Sequence, residues 1–277
     1  MINHITNYYV KDLMAKTKLY FNKWSIEEVL ECKGLTEIMF ARTQTNKNVY
    51  PDTMSDVKKL EIAFRLGGKG LASKPSNFPI TTADYILNKY NVNGNYYDPS
   101  CGWGVRLLSA LKNGLNYYGT DPNYLLCDRL KDMSELYKDA NNIGNVVDIR
   151  VCGSEVYQDD LTNKIGLAFT SPPYFYLEDY KVGEQSWQEG ISYEDWLGNY
   201  LEPTINNIYG YLIKDGFMAI NINNFKNFDL INDTIRIAER NGFYLIEVER
   251  LKNISRVNSK GKFNNNDEQI LVFKKAI

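Results

Sequence analysis

The sequence predicts an α/β fold, in which a mostly parallel sheet with an antiparallel C-terminal strand follows an N-terminal helical region. From about residue 76, short apolar runs alternate with segments of helical periodicity, which is typical of a parallel sheet. The run 165–170 is almost entirely apolar, as expected of a strand buried on both faces. Two strands without an intervening helix, 244–250 and 269–274, end the chain and indicate an antiparallel edge.

The elements of the predicted sheet domain, residues 76–277, follow from periodicity and capping signals. Helices are predicted at 83–90, 105–113, 125–137, 192–212 and 230–240. Strands are predicted at 95–97, 116–120, 146–152, 165–170, 216–221, 244–250 and 269–274. Ser192 is the predicted start of the fourth helix, and Leu212 its last apolar residue. Pro203 lacks an N–H group, so we expect it to kink or divide this helix.

Residues 1–75 are predicted to form a separate helical region with a possible role in DNA contact. Helical periodicity is seen at 25–32 and at 55–66, where Ser55 is a plausible N-cap. The glycine-rich run 67–70 then ends the second helix.

Composition excludes several functional classes. The 277 residues carry a formal net charge of −2, so any nucleic acid must bind a local patch rather than a basic surface. No apolar run approaches the roughly 18–20 residues of a membrane helix, and the N-terminus lacks a signal-peptide pattern. We therefore expect a cytoplasmic protein that does not engage membranes. Its oligomeric state stays open.

Cysteine and histidine usage narrows the chemistry further. None of the four cysteines forms a C-x-x-C pair with another, so free thiols are expected and no metal site is predicted. His4, the single histidine, lies near the N-terminus, which excludes histidine triads and histidine metal sites. An enzyme built from this chain must use carboxylates, hydroxyls, backbone groups or a bound cofactor.

A glycine-containing turn follows the first predicted strand of the sheet. Ligands of open α/β sheets bind beyond the carboxyl ends of such strands, and the glycines at 102 and 104 permit close approach of the backbone. The carboxylate of Asp98 suits a cationic or amine-bearing ligand better than a pyrophosphate. Asp121 ends the next strand, where an acidic side chain can accept both hydroxyls of a ribose.

The run Ser171-Pro172-Pro173-Tyr174, directly after the buried strand 165–170, is the most specific signal in the chain. Neither proline can donate to a sheet ladder, so the pair ends the strand in a rigid turn. In this context we favour a functional turn over a simple strand terminator.

These segments resemble the amino-group DNA methyltransferases, which use S-adenosylmethionine and methylate cytosine N4 or adenine N6. Ser171, Pro172, Pro173 and Tyr174 look like the catalytic motif of that family, and residues 98–104 look like its cofactor glycine loop. The resemblance implies a Rossmann-like methyltransferase sheet and covers residues 74–274. The cofactor-binding residues that it implies are Lys74, Phe78, Asp98, Pro99, Ser100, Cys101, Gly102, Gly104, Asp121, Pro122, Asn123, Ser154, Glu155 and Ser171.

The chemistry of the motif agrees with this resemblance. An exocyclic amine is a poor nucleophile because its lone pair is delocalised into the ring. Hydrogen bonds from the amine to the side chain of Ser171 and the carbonyl of Pro172 would localise that pair without a strong base. Tyr174 can stack on a base flipped out of the helix. In the family the serine form of the motif is commoner for cytosine N4, which favours cytosine over adenine.

DNA recognition is the least defined part of the sequence. The interval between Cys152 and Thr170 leaves no room for an inserted recognition domain. The candidate phosphate contacts are Arg256, Lys260 and Lys262 in a polar loop, although a solvated basic surface loop is the favoured explanation. The alternative functions are a methyltransferase acting on RNA or protein, and a non-catalytic relative that binds nucleic acid.

Overall fold

The computed structural model describes residues 2–19, 24–45, 51–55, 59, 75–181, 184–250 and 269–276. Within these ranges, none of the helices combines the length and the apolar character that a membrane span requires. All four cysteines are free thiols, as the sequence predicted.

A twisted seven-stranded sheet forms the centre of the described chain, in the order β4-β3-β2-β5-β7-β9-β8. Its strands are β2 (Asn95–Asp98), β3 (Asn116–Asp121), β4 (Val147–Val151), β5 (Ile165–Thr170), β7 (Leu212–Ile222), β8 (Phe243–Arg250) and β9 (Gln269–Lys275). Neighbours among β2, β3, β4, β5 and β7 are parallel, whereas β9 is antiparallel to both β7 and β8. The predicted mostly parallel sheet with an antiparallel C-terminal edge is confirmed.

Helices cover both faces of this sheet. They are α1 (Ile2–Lys16), α2 (Ile26–Glu31), α3 (Lys33–Thr45), α4 (Ile80–Tyr90), α5 (Val105–Lys112), α6 (Tyr124–Asn141), α7 (Tyr193–Trp196), α8 (Glu202–Tyr211) and α9 (Leu230–Arg240). Two short strands, β1 (Lys18–Leu19) and β6 (Glu178–Asp179), pair antiparallel with each other away from the main sheet.

Successive residues of the central strands supply two separate cores. Tyr96 belongs to a cluster with α1, α4, α5 and α6, while its neighbour Tyr97 belongs to a cluster with α8 and α9 on the other face. This alternation is the period-two geometry of a strand buried on both faces. Val10, Leu13 and Met14 of α1 are buried in the first cluster. The predicted division at residue 75 stays a prediction, and α1 shares its core with the sheet.

The predicted helix 192–212 is interrupted, as Pro203 suggested. Ser192 caps α7, and its side chain accepts a hydrogen bond from the Asp195 N–H. Residues Leu197–Leu201 then form a π-helical turn. Helix α8 begins directly after it and has Pro203 in its first turn. A π turn leaves a wider spacing of backbone hydrogen bonds, so it accommodates the missing N–H of the proline. The placement of Leu212 in this helix is wrong, because β7 begins at that residue.

The N-terminal region contains one element that the sequence pattern predicted. The helix expected at 25–32 is α2, which Ser25 and Glu28 close with reciprocal side-chain-to-backbone hydrogen bonds. The helix expected at 55–66 lies almost wholly outside the described residues. The pairing of β1 with β6 places this region beside the segment that follows Tyr174.

Candidate active site

A cavity of about 280 Å³ opens at the carboxyl ends of the parallel strands. It lies where the chain order reverses between β2 and β5, the position at which open α/β sheets bind ligands. The loops after β2, β3, β4 and β5 all contribute to its wall. From these loops the lining residues are Pro99, Ser100, Gly102, Trp103, Asp121, Pro122, Asn123, Gly153, Ser154, Glu155, Ser171 and Pro173.

The turn after β2 depends on two glycines in the left-handed region. Gly102 has φ of 56° and Gly104 has φ of 84°, values that other residues adopt at a cost. Gly104 also begins α5, and a Cβ atom there would come within 2.5 Å of Met133 and 2.6 Å of Leu130. Gly104 therefore does not line the cavity but lets α5 pack closely against α6.

A buried ion pair supports this turn from behind. Arg106 donates from Nε to Oδ2 of Asp98 and from Nη2 to Oδ1, both at 2.9 Å. Although burial opposes the charge, the Asp98 carboxylate raises the pKa of Arg106 above its ordinary value. Arg106 also donates to the backbone oxygen of Ser100. The Asp98 carboxylate thus points away from the cavity. This geometry does not favour the predicted direct contact of Asp98 with an amine-bearing ligand.

Two further predicted residues of the cofactor site pack behind its wall. Cys101 is buried, and both its N–H and its thiol point to the Thr120 oxygen, at 3.2 and 3.4 Å. Phe78 makes an edge contact with Phe169, with ring centroids 5.6 Å apart, and lies 5.5 Å from the Arg106 guanidinium. These residues shape the turn and do not line the cavity.

Asp121 ends β3 and lies in the cavity wall. Its Oδ1 accepts a hydrogen bond from the Asn123 N–H at 3.0 Å, and the Asn123 side chain in turn caps α6. Desolvation raises the pKa of Asp121 to about 7, and the nearby charge of Asp98 adds to this shift. The raised pKa indicates that few hydrogen-bond donors stabilise the carboxylate in the free protein. A ligand with paired hydroxyls would supply further donors.

The loop after β4 is held by α8. Ser154 is buried, its hydroxyl lies 2.8 Å from that of Thr204, and its backbone oxygen accepts from Asn207 at 2.9 Å. These contacts leave Glu155, the next residue, exposed at the cavity edge. The family resemblance predicted Ser154 and Glu155 as cofactor-binding residues, but it did not predict that α8 positions them.

The turn after β5 brings two residues of the predicted catalytic motif to the same cavity, whereas Tyr174 does not line it. Ser171 and Pro173 line it, whereas Pro172 is buried behind them. The Ser171 hydroxyl accepts a hydrogen bond from Asn221 Nδ2 at 3.1 Å. The Tyr174 hydroxyl donates to the Asn221 backbone oxygen at 3.5 Å. Phe175, directly after the motif, has φ of 39°, so the backbone turns sharply there.

Several cavity residues were not predicted. Tyr200 belongs to the π-helical turn, and its hydroxyl lies 3.3 Å from that of Ser100. A π turn redirects one side chain relative to an α-helix, which agrees with its frequent occurrence at functional sites. The segment after the motif closes the opposite side of the cavity with polar side chains. Its lining residues are Tyr180, Glu184, Gln185, Ser186 and Gln188.

Four predicted binding residues, Lys74, Arg256, Lys260 and Lys262, lie outside the residues that the structure describes. Among the described residues, no group of three or more His, Cys, Asp or Glu side chains is arranged to hold a metal ion. His4 is exposed in α1 and does not line the cavity.

Comparison with protein families identifies the segment that carries the motif. Residues 165–276, from the start of β5 into the last strand, match the model of the N6/N4 family described as DNA methylase. This match supports the resemblance to the amino-group DNA methyltransferases that the motifs indicated. The match to this DNA methylase family contains Ser171–Tyr174, whereas the glycine turn and Asp121 precede it. It supports a methyltransferase enzyme.

Solved structures with similar folds include several methyltransferases and a [4+2]-cyclase. They include a TehB-like SAM-dependent methyltransferase from Corynebacterium glutamicum, with 18% identity, a TM-score of 0.49, and coverage of 79% of this chain and 95% of that one. Another is the magnesium protoporphyrin IX methyltransferase from Synechocystis with bound SAM, with 10% identity, a TM-score of 0.45, and coverage of 91% and 95%. No curated protein matches this chain in sequence. These distant likenesses do not bear on the substrate.

Proposed function

We propose that this chain transfers a methyl group from S-adenosylmethionine to an exocyclic amine of a DNA base, with cytosine N4 favoured over adenine N6. The observation that carries the proposal is the position of Ser171. Ser171 lines the same cavity as the glycine turn after β2 and Asp121 after β3. A motif suited to an amine and a site suited to a nucleoside cofactor therefore share one cavity.

The cavity fits S-adenosylmethionine, which supplies an electrophilic methyl group on its sulfonium. Asp121 would accept hydrogen bonds from the ribose hydroxyls, and its raised pKa indicates an acidic group short of donors. Ser154 and Glu155, one strand further along the sheet, would contact the adenine. The backbone from Pro99 to Gly102 would cradle the methionine end.

Ser171 and Pro172 would act on the target amine. Hydrogen bonds from the NH₂ group to the Ser171 hydroxyl and the Pro172 carbonyl would localise the nitrogen lone pair and aim it at the methyl group. Tyr174 would stack on the base. This chemistry needs no strong general base, which agrees with a cavity wall that contains no histidine among the described residues. The methylated amine loses its proton to solvent after transfer.

The family match supports DNA as the substrate. A base stacked inside a duplex cannot enter an active-site cavity, so the target nucleotide must be flipped or single-stranded. Tyr180, Gln185 and Gln188, which line the cavity after the motif, would then meet the base. The choice of cytosine rests on the serine at the head of the motif.

Transfer of a radioactive methyl group tests the proposal. The chain is incubated with labelled S-adenosylmethionine and, separately, duplex DNA, single-stranded DNA, RNA and a protein mixture. We expect label in DNA and, after digestion to nucleosides, N4-methylcytosine by mass spectrometry. N6-methyladenine would overturn the base preference. Label confined to RNA or protein would overturn the DNA assignment.

Variants of the motif separate catalysis from binding. Ser171→Ala should lower the transfer rate by about 10²–10³-fold, the usual loss when a polar group that stabilises the transition state is removed. Tyr174→Ala should lower it by about 5- to 150-fold, because it removes a base-stacking contact of about 1–3 kcal/mol. Ser134→Ala and Tyr209→Ala are matched controls, because both residues lie away from the cavity. Unchanged transfer in the motif variants, with persistent DNA binding, would favour a non-catalytic relative.

The basic residues Arg256, Lys260 and Lys262 remain proposed phosphate contacts. Replacing all three with alanine should reduce the dependence of DNA binding on salt, since each phosphate contact contributes about 0.9 to the logarithmic slope on duplex DNA. An unchanged slope would indicate that these three residues do not contact phosphate and belong to a solvated surface loop.

A further inference from the structure

Asn221 contacts the predicted catalytic serine from the neighbouring strand. In the parallel pairing of β5 with β7, Thr170 lies opposite Ile220, so Ser171 and Asn221 follow side by side at the carboxyl ends. The Asn221 side chain is 2% exposed, and its Nδ2 lies 3.1 Å from Ser171 Oγ. No sequence motif marks this residue, because fifty positions separate it from Ser171.

The other end of the Asn221 amide has no partner among the described residues. Its Oδ1 is buried and accepts no hydrogen bond there. An amide held only through Nδ2 can make a half-turn that exchanges its oxygen and nitrogen, and the oxygen then occupies the position 3.1 Å from Ser171 Oγ. The exchange gives the buried oxygen a donor, the Ser171 hydroxyl, and places the amide N–H groups on the side where the oxygen had no partner.

The reaction requires the Ser171 proton to point away from the amine. A serine hydroxyl carries one donor and two acceptor lone pairs. If its proton pointed into the cavity, it would bond the nitrogen lone pair that must attack the methyl group. A neighbouring acceptor that takes this proton leaves both oxygen lone pairs for the N–H bonds of the amine.

We propose that Asn221 is a positioning residue that accepts the Ser171 hydroxyl proton through Oδ1 and so fixes Ser171 as an acceptor for the target amine. This inference rests on the proposed function. Asn221 would not contact the substrate itself, since it acts only through Ser171. The step that it assists is the methyl transfer already described, in which the N–C bond forms as the S–C bond breaks.

Two substitutions at Asn221 test this role. Asn221→Leu keeps the size of the side chain and removes the acceptor. Asn221→Asp keeps the acceptor, and its carboxylate cannot donate once ionised. Each is assayed with labelled S-adenosylmethionine and random-sequence duplex oligonucleotides from about pH 6 to pH 9. Asn241→Leu and Asn241→Asp are controls, because Asn241 donates to Ile237 at the end of α9.

We expect Asn221→Leu to lower kcat by about 10- to 100-fold, less than loss of Ser171 itself, with unchanged affinity for S-adenosylhomocysteine by calorimetry. At saturating S-adenosylmethionine, where the pH dependence of cofactor affinity no longer affects the rate, kcat of Asn221→Asp should rise with pH as its carboxylate ionises, whereas kcat of the wild-type chain should not. This pH response is independent of any folding defect in Asn221→Leu.

Three outcomes overturn the inference. Activity of Asn221→Asp that falls as the carboxylate ionises would show that the donor, not the acceptor, is needed. Wild-type kcat in Asn221→Leu would remove any role for the amide. A wild-type chain that labels no nucleic acid would overturn the proposed function and this inference together, whereas either of the first two results overturns this inference alone.

Discussion

Arg106 and Asp98 form a two-pronged ion pair directly behind the turn that lines the cavity. Their side chains are 5% and 0% exposed, and both hydrogen bonds between them are 2.9 Å long. Tyr117 also donates to Asp98 Oδ2, at 3.2 Å. The pair therefore joins the end of β2 to the first turn of α5 and holds the backbone between them in place.

Removing one partner of this pair should destabilise the chain strongly. In Arg106→Met the Asp98 carboxylate is left buried without its counter-charge, and we expect the free energy of unfolding to fall by about 3–5 kcal/mol. Urea denaturation measures the change. Arg129→Met is the matched control, because the Arg129–Asp12 pair is 31% and 50% exposed and should contribute about 0–1 kcal/mol. Equal losses in the two variants would contradict a structural role for the buried pair.

Binding of S-adenosylmethionine should depend on pH through Asp121. Desolvation raises the pKa of this carboxyl to about 7, and ribose hydroxyls that donate to the carboxylate would lower it again. We therefore expect affinity to rise as pH increases from about 5.5 to 7.5 and then to level, with proton release on binding at the lower values. Calorimetry in buffers of different ionisation enthalpy measures both effects.

Asp121→Asn is the control for this pH dependence. It should bind more weakly and with an affinity that no longer varies over the same range. The effect of Asp121 on the stability of the free protein has the opposite sign to its effect on affinity. Because the folded pKa exceeds the unfolded value of 3.8, the carboxyl lowers the free energy of unfolding as pH rises from about 4 to above 7. Wild-type affinity that is flat between pH 5.5 and 7.5 would rule out the ribose contact.

The sequence predicted those parts of the site that occupy short contiguous runs. Residues 98–104 and 171–174 carry glycine and proline at positions where backbone conformation dictates the residue type, so their placement at strand ends could be predicted locally. The alternation of strands and helices likewise predicted the sheet, because burial on both faces leaves a periodic pattern.

The supporting residues could not be predicted in this way. Asn221 and Tyr200 reach Ser171 and Ser100 across separations of 50 and 100 residues, and neither has a local pattern that marks it. Arg106 follows the glycine turn in sequence, but its role depends on burial against Asp98, which only the packed structure defines. Pro203 predicted a break in its helix, whereas the form of that break, a π turn that carries Tyr200, follows from tertiary packing.

The Tyr200 hydroxyl should contribute to cofactor binding by holding Ser100. Tyr200→Phe removes the 3.3 Å contact with Ser100 and a polar group from the cavity wall, while the ring stays packed. We expect the dissociation constant of S-adenosylhomocysteine to rise about 3- to 10-fold, the equivalent of one ordinary hydrogen bond. Tyr209→Phe is the control, because its hydroxyl contacts Ala276 at 3.5 Å, away from the cavity. The prediction fails if the two variants bind equally well.

Alanine substitutions at Gly104 and Gly114 separate the energetic cost of backbone strain from the cost of steric overlap. Both have positive φ, 84° and 71°, so alanine at either position should cost about 1–2 kcal/mol for the left-handed backbone. At Gly114 a Cβ atom meets nothing within 4 Å, whereas at Gly104 it would lie 2.5 Å from Met133 Cε. Gly104→Ala must therefore also displace the buried side-chain ends of Met133 and Leu130 or move α5 away from α6, and we expect a further cost of about 1–3 kcal/mol.

The difference between these two variants is the quantity to measure. Urea denaturation of Gly104→Ala and Gly114→Ala under the same conditions gives it directly, since the backbone strain cancels. We also expect Gly104→Ala to weaken binding of S-adenosylhomocysteine, because a shift of α5 moves Arg106 and, with it, the Ser100 oxygen that Arg106 holds. Gly114→Ala should bind normally, as Gly114 lies at the far end of α5. Equal stability of the two variants would mean that Met133 and Leu130 yield without cost, and Gly104 would then serve the turn through its φ angle alone.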